Sequence, residues 1–171
     1  MRLWRQRLTM AGLALGMALG TVDLFDASLS QAATSAQVTE AGNAIELKYV
    51  GEDGTSTKEV LPLHQVGSAR YFSTGIGLEE RTAQYPPFPL KLVFVAGPKA
   101  YVTQVAVSIK DTKTDMAVRI PSDQVTGPWL FVDLPAGTYD ITAVRGDRAG
   151  VTQRVELVPG CTKVAYFRWT E

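Results

Sequence analysis

His64 is the only histidine in the chain. A zinc hydrolase built on an HExxH helix, a three-histidine metal site and a two-histidine iron site all need more imidazoles than this sequence has. A serine triad would have to recruit His64, yet no serine sits in a Gly-x-Ser-x-Gly elbow. His64 is therefore expected as a partly exposed strand or loop residue. Glu79 and Glu80 are adjacent carboxylates, and neighbours on a helix do not face one another, so they do not form an acid–base pair. Glu79 or Glu80 could pair with Arg81 or another nearby base. Gly75-Ile76-Gly77 could form a backbone turn that receives an anion at a helix start, but ordinary turn chemistry of the two glycines is the expectation. Asp111 and Asp115 lack the DxDxDG spacing of a calcium loop and read as turn acids. Cys161 is the only cysteine, so no intrachain disulfide exists; its thiol is either buried and inert or available for an intermolecular bridge. This inventory predicts no catalytic residue, no metal ligand set and no cofactor: the chain does not read as an enzyme.

Aromatic side chains are the remaining candidates for binding, and Trp129, Tyr166 and Trp169 are singled out. Alternation puts Phe167 with Trp169 on one face of a final strand and Tyr166 with Val164 on the other. One face must be core, and the other is either covered or presented to a partner.

The elements that must position these residues are almost all strands. The clearest signal is Leu134-Pro135-Ala136-Gly137-Thr138-Tyr139-Asp140-Ile141-Thr142-Ala143: a strand end, a Pro/Gly turn and a strand with Tyr139, Ile141 and Ala143 on one face. Tyr139, just after the corner, is placed to donate its hydroxyl to nearby backbone as a tyrosine corner does. Upstream, Ile45, Leu47 and Tyr49 alternate with Glu46 and Lys48. After a turn at 51–54, a second strand over 58–63 completes a hairpin, with Pro62 marking an edge. A short strand at 69–72 precedes the one helix-like piece, 78–85, where Leu78 and Tyr85 are expected on a common side and Pro86-Pro87 stops the helix. Strands at 90–95, 105–110, 117–120, 129–134, 151–158 and 162–169 follow, with turn signals every 8–15 residues. That rhythm favours a β-sandwich over any α/β fold.

Arg2, Arg5 and Arg7 precede an apolar run from Leu8 to Gly20, the layout of a secretory signal. The run is shorter than the about 18–20 apolar residues of a membrane span. Cleavage after Ala32 or Ala33 gives residues 1–33 as signal peptide, and 34–43, rich in Ala, Ser, Thr and Gln, reads as a disordered linker. Residues 44–87 are the hairpin and short helix, packing on a sandwich formed by 88–171. Without residues 1–33 the 17 basic and 17 acidic residues become 14 and 15, which offers no electrostatic case for nucleic acid or an anionic membrane. No stable membrane span is expected once the signal is removed.

The stretches YVTQVAVSIKD (101–111), GPWLFVDLPAGTYDITAVRGD (127–147) and VAYFRW (164–169) together resemble the carboxypeptidase regulatory-like domain. TGIGLEER (74–81) and FPLKLVFV (88–95) are similar to bacterial exported proteins that carry this domain at the C-terminus. The resemblance covers about half the chain closely. It implies a seven-stranded, Greek-key, transthyretin-like β-sandwich with an added N-terminal hairpin and one short helix. It assigns no catalytic residue. Hydroxyisourate hydrolases share this sandwich type, but they use several histidines and end in Tyr-Arg-Gly-Ser, whereas this chain ends Phe167-Arg168-Trp169-Thr170-Glu171. The expectation is thus an exported (periplasmic or secreted) non-catalytic protein that binds a protein partner or envelope component. The alternatives are a carbohydrate-binding module stacking sugars on Trp129 or Trp169 and, behind it, a hydrolase.

Overall fold

In a computed structural model that describes residues 34–51, 53–98 and 100–170, the chain is all-β with one short helix. The predicted signal peptide lies outside the described residues. Among the described residues no helix is long and apolar enough to cross a membrane.

Three sheets stack in layers. The central sheet has the order β13-β6-β10-β5-β4, from strands Lys163–Trp169, Leu90–Ala96, Trp129–Asp133, Ala69–Thr74 and His64–Val66; two-residue β7 (Ala100–Tyr101) extends it beside β6. The second sheet has the order β12-β11-β8-β9, from Val151–Leu157, Gly137–Arg145, Val105–Asp111 and Ala117–Ile120. These two form the sandwich. Its core joins Leu90, Leu92 and Phe94 of β6, Leu130 and Val132 of β10, and Phe167 and Trp169 of β13 to Val107, Ile109, Ile141 and Val155 across the gap. On the opposite face of the central sheet lies a third sheet, β1-β2-β3, from Ser35–Val38, Ala44–Val50 and Ser56–Pro62. Ile45, Leu47 and Leu61 press there against Phe72, Phe88 and Phe131.

This layering explains the texture of the sequence. β6 and the middle of β10 are near-continuous apolar runs because both faces of the central sheet are covered at those strands. β11 and β13 alternate because only one face of each is buried. Tyr139 is buried and its hydroxyl donates to Pro135 O at 2.8 Å, the corner bond the sequence predicts.

Several boundaries differ from the sequence reading. Residues 35–38 are not part of a linker: they form β1, with Ala36 opposite Leu47 and Val38 opposite Ile45, because their small apolar side chains share the face that packs on the central sheet. The division at 87/88 also moves, since β4 and β5 belong to the sandwich's own central sheet, β5 pairing with β10 from Thr74↔Trp129 to Arg70↔Asp133. The two sandwich sheets hold six and four strands rather than seven in all. Helix α1 spans only Leu78–Thr82. Pro86 disfavours a helical conformation at Tyr85, and Ala83 is already extended where the chain turns to meet β1 through Gln84. Leu78 and Tyr85 therefore do not share a side: Leu78 is 68% exposed, while Tyr85 packs on Phe72 and Phe131.

Candidate functional site

The three aromatic candidates separate. Trp169 is 4% exposed, sits in the sandwich core and donates its indole N–H to Ala149 O at 3.3 Å, so it is a packing residue and not a binding one. Alternation decides this, because odd positions of β13 face the core. Tyr166 and Val164 point the other way and are 58% and 41% exposed. Trp129 is half-buried on the same outer face of the central sheet, among residues packed by the third sheet. Register places them in rows: Trp129 opposite Val93 opposite Tyr166, and Phe131 opposite Lys91 opposite Val164.

Lys91 completes this strip, and the sequence reading passed over it. Its Nζ lies 3.3 Å from the centroid of a Trp129 ring and 5.1 Å from that of Phe131. Burial lowers the Lys91 pKa from its usual value. The only signal in the sequence was a single charge inside an apolar run, Leu90-Lys91-Leu92. Since the ammonium already occupies one face of the indole, Trp129 does not offer that face for stacking a sugar.

Backbone geometry fixes Trp129. Gly127 lies so close to β5 that a Cβ there would meet Thr74 O at 2.1 Å. Its N–H donates to Ser73 Oγ at 2.8 Å. Gly75, at φ +101°, lies against the Trp129 ring, where a Cβ would come within 3.0 Å. The third sheet stops short of β13, which leaves Tyr166 and Val164 uncovered. The free edge of β13 is occupied instead: Gln153 donates to Tyr166 O at 2.7 Å and Arg148 to Thr170 O at 3.0 Å.

The turn at Gly75-Ile76-Gly77 does receive an anion, and the anion belongs to the chain itself. The Glu80 carboxylate, 8% exposed, accepts from Gly75 N at 2.5 Å, Ile76 N at 3.2 Å and Thr74 Oγ1 at 2.7 Å. Tyr85 joins through Thr74 Oγ1 and Glu80 O at 2.7 and 2.8 Å, and its own hydroxyl pKa is pushed up to about 12, chiefly by burial. Arg81 does not pair with either glutamate; it donates to the carbonyls of Gly77 and Ile76. The loop is thus closed by its own acid, and no external anion is needed there.

His64 lies half-buried on β4 and stacks on Tyr71, with ring centroids 5.3 Å apart. Asp111 accepts from Lys113 N and Thr114 N, and these bonds hold its carboxyl below the usual range. It is the turn acid the sequence predicts. Cys161 is exposed on the turn after β12, which removes the buried alternative for its thiol. Among the described residues no three His, Cys, Asp or Glu side chains form a metal-holding group. Comparisons of the chain with protein-family models, with curated proteins and with solved structures found no match.

Proposed function

We propose that this chain is an exported, non-catalytic β-sandwich protein of the carboxypeptidase regulatory-like kind, which binds a protein partner or envelope component through the outer face of β13. The observation that carries the reading is an exposed aromatic and apolar pair on a sheet face whose middle is covered, whereas the far end of that face carries the Arg70–Asp133 ion pair. The third sheet buries Phe72, Phe131 and much of Trp129, whereas Tyr166 and Val164 beside them stand in solvent. A tyrosine next to a half-buried tryptophan and lysine has the make-up of an interface centre, where aromatic anchors dominate binding energy. Contact by a face is favoured over addition of a strand at the β13 edge, because Gln153 and Arg148 already hold backbone carbonyls there. The signal-like N-terminus supports the compartment. The stacking of His64 on Tyr71 gives the imidazole a packing role.

The test is capture of envelope proteins and glycans by the tagged, exported chain, comparing wild type with Tyr166→Asp. The variant is expected to lose about tenfold or more of its capture, the effect of removing an aromatic anchor. Undiminished capture would remove β13 as the contact face, and absence of capture by the wild type would remove the binding role.

A further inference from the structure

A concave region lies at one loop end of the sandwich. It is a cavity of about 610 Å³, within the size range of small-ligand sites. Three connections converge on it. Tyr101 ends β7, and the loop from it to β8 contributes Thr103 and Gln104; the 3₁₀ turn Ser122–Gln124 contributes Ser122 and Asp123; Arg145 ends β11. Gln104 N–H donates to Val125 O at 2.9 Å, which ties the first loop to the second. Register then sets Arg145 opposite Val105, next along the chain from Gln104. Behind the turn, the Tyr71 hydroxyl bonds Gln124, so the wall is braced from the central sheet.

Two features set this cavity apart from ordinary loop surface. Gln104 holds φ at +56°, the one non-glycine residue among those described in the left-handed region. Such a conformation costs free energy and persists only where its surroundings enforce it, and it concentrates at ligand sites. Arg145 and Asp123 line one cavity without pairing with each other, and among the described residues neither has an ion-pair partner within 4.0 Å. Both charges therefore stay available to a ligand.

From this lining we infer that the cavity binds a carboxylate-bearing sugar, a uronic acid in chemical class. Arg145 meets the carboxylate with its guanidinium fork. Asp123, Ser122, Thr103 and Gln104 meet ring hydroxyls, for which they supply acceptors and donors. Tyr101, half-exposed at the rim, supplies an aromatic face for the apolar side of the ring. The inference goes beyond the envelope-component reading by naming a ligand class for a set of residues other than Tyr166 and Val164.

The experiment is an amide-resolved NMR titration of the ¹⁵N-labelled full chain with glucuronate, with glucose and glycine as comparison ligands. The expected result is shifts confined to residues 101–105, 122–125 and 145–146, with glucuronate binding tighter than glucose by about tenfold. Arg145→Gln should erase that preference while retaining a dispersed folded spectrum, and Asp123→Asn should weaken both sugars. No saturable shifts with glucuronate, shifts elsewhere, equal binding of glucose, binding of glycine in its place, or an unaltered preference in Arg145→Gln would each overturn the inference. Failure here with envelope capture intact leaves the β13 reading standing. Glucuronate binding without Tyr166-dependent capture does the reverse.

Discussion

The ammonium of Lys91 sits 3.3 Å from the centroid of a Trp129 ring, on the outer face of the central sheet. The lysine comes from β6 and the tryptophan from β10, diagonal neighbours two positions apart in register, so the pair is created by the sheet and not by proximity along the chain. Two opposed effects act on the charge. The indole quadrupole attracts it by about 0.5–2 kcal/mol, while burial disfavours the charged form and lowers its pKa.

That balance predicts the outcome of Lys91→Met, which keeps the aliphatic stem over the ring and removes the charge. A folded-state pKa below the unfolded value means the ammonium costs stability at every pH under that folded value, and the cost vanishes above the unfolded pKa. Urea denaturation at pH 7 should show Lys91→Met as stable as wild type or more so. A clear loss of midpoint would show that the cation–π attraction outweighs desolvation.

Glu80 closes the Gly75-Ile76-Gly77 turn with three hydrogen bonds to one carboxylate oxygen. Glu80→Ala leaves buried donors without an acceptor and should cost about 2–3 kcal/mol. Glu80→Gln keeps an acceptor but not the charge, and should cost about half as much. Urea midpoints check the order. Equal, small effects for both variants would mean the turn holds itself.

How far the sequence carries can be argued from these same residues. The alternation in 139–143 and 164–169 separates the two faces of each strand, because each has one wet face. For 164–169 it does not say which face is core, so Trp169 stays a binding candidate until β13 is seen against β6. The Pro/Gly corner likewise gives the Tyr139–Pro135 bond, a local contact. Residues 35–38 stay hidden because two small apolar side chains make a weak signal until β2 lies beside them. Lys91 is invisible as a functional neighbour of Trp129 for a related reason: the pairing of β6 with β10 is long-range, and a continuous apolar run does not declare its partners. Glycines 75 and 77 mark a turn, but that it receives an anion, against the expectation of ordinary turn chemistry, depends on how a five-residue helix folds Glu80 back over it.

The two tryptophans of the described chain differ enough to be told apart in solution. Trp169 is buried in the sandwich, whereas Trp129 is only partly buried. In a Trp129→Phe variant of the signal-free protein, the remaining indole should resist iodide quenching, and emission should stay blue. Trp169→Ala should destabilise the fold by about 3–5 kcal/mol, as for other large buried aromatics. Ready quenching in Trp129→Phe would place Trp169 at the surface and restore it as a stacking candidate.

Glu59 supplies the pH dependence. It lies on β3 opposite Leu47, partly buried, facing the region of Glu80 and Glu79. Burial, and then the neighbouring acids Glu80 and Glu79, raise its pKa above the ordinary glutamate value of 4.5. A carboxyl raised in the folded state binds its proton more tightly there than in the unfolded chain. Below pH 4.5 both states are protonated and Glu59 costs nothing. Between 4.5 and the folded value the unfolded chain ionises first, so stability falls as pH rises; above the folded value the penalty is constant. Glu59→Gln removes that penalty. Its urea midpoint should therefore exceed that of wild type at pH 7, and the difference should disappear below pH 4.5. A gain that persists unchanged in acid would assign the effect to packing of the amide. A loss at pH 7 would mean that the ionised Glu59 is held by a cation that stabilises the third sheet.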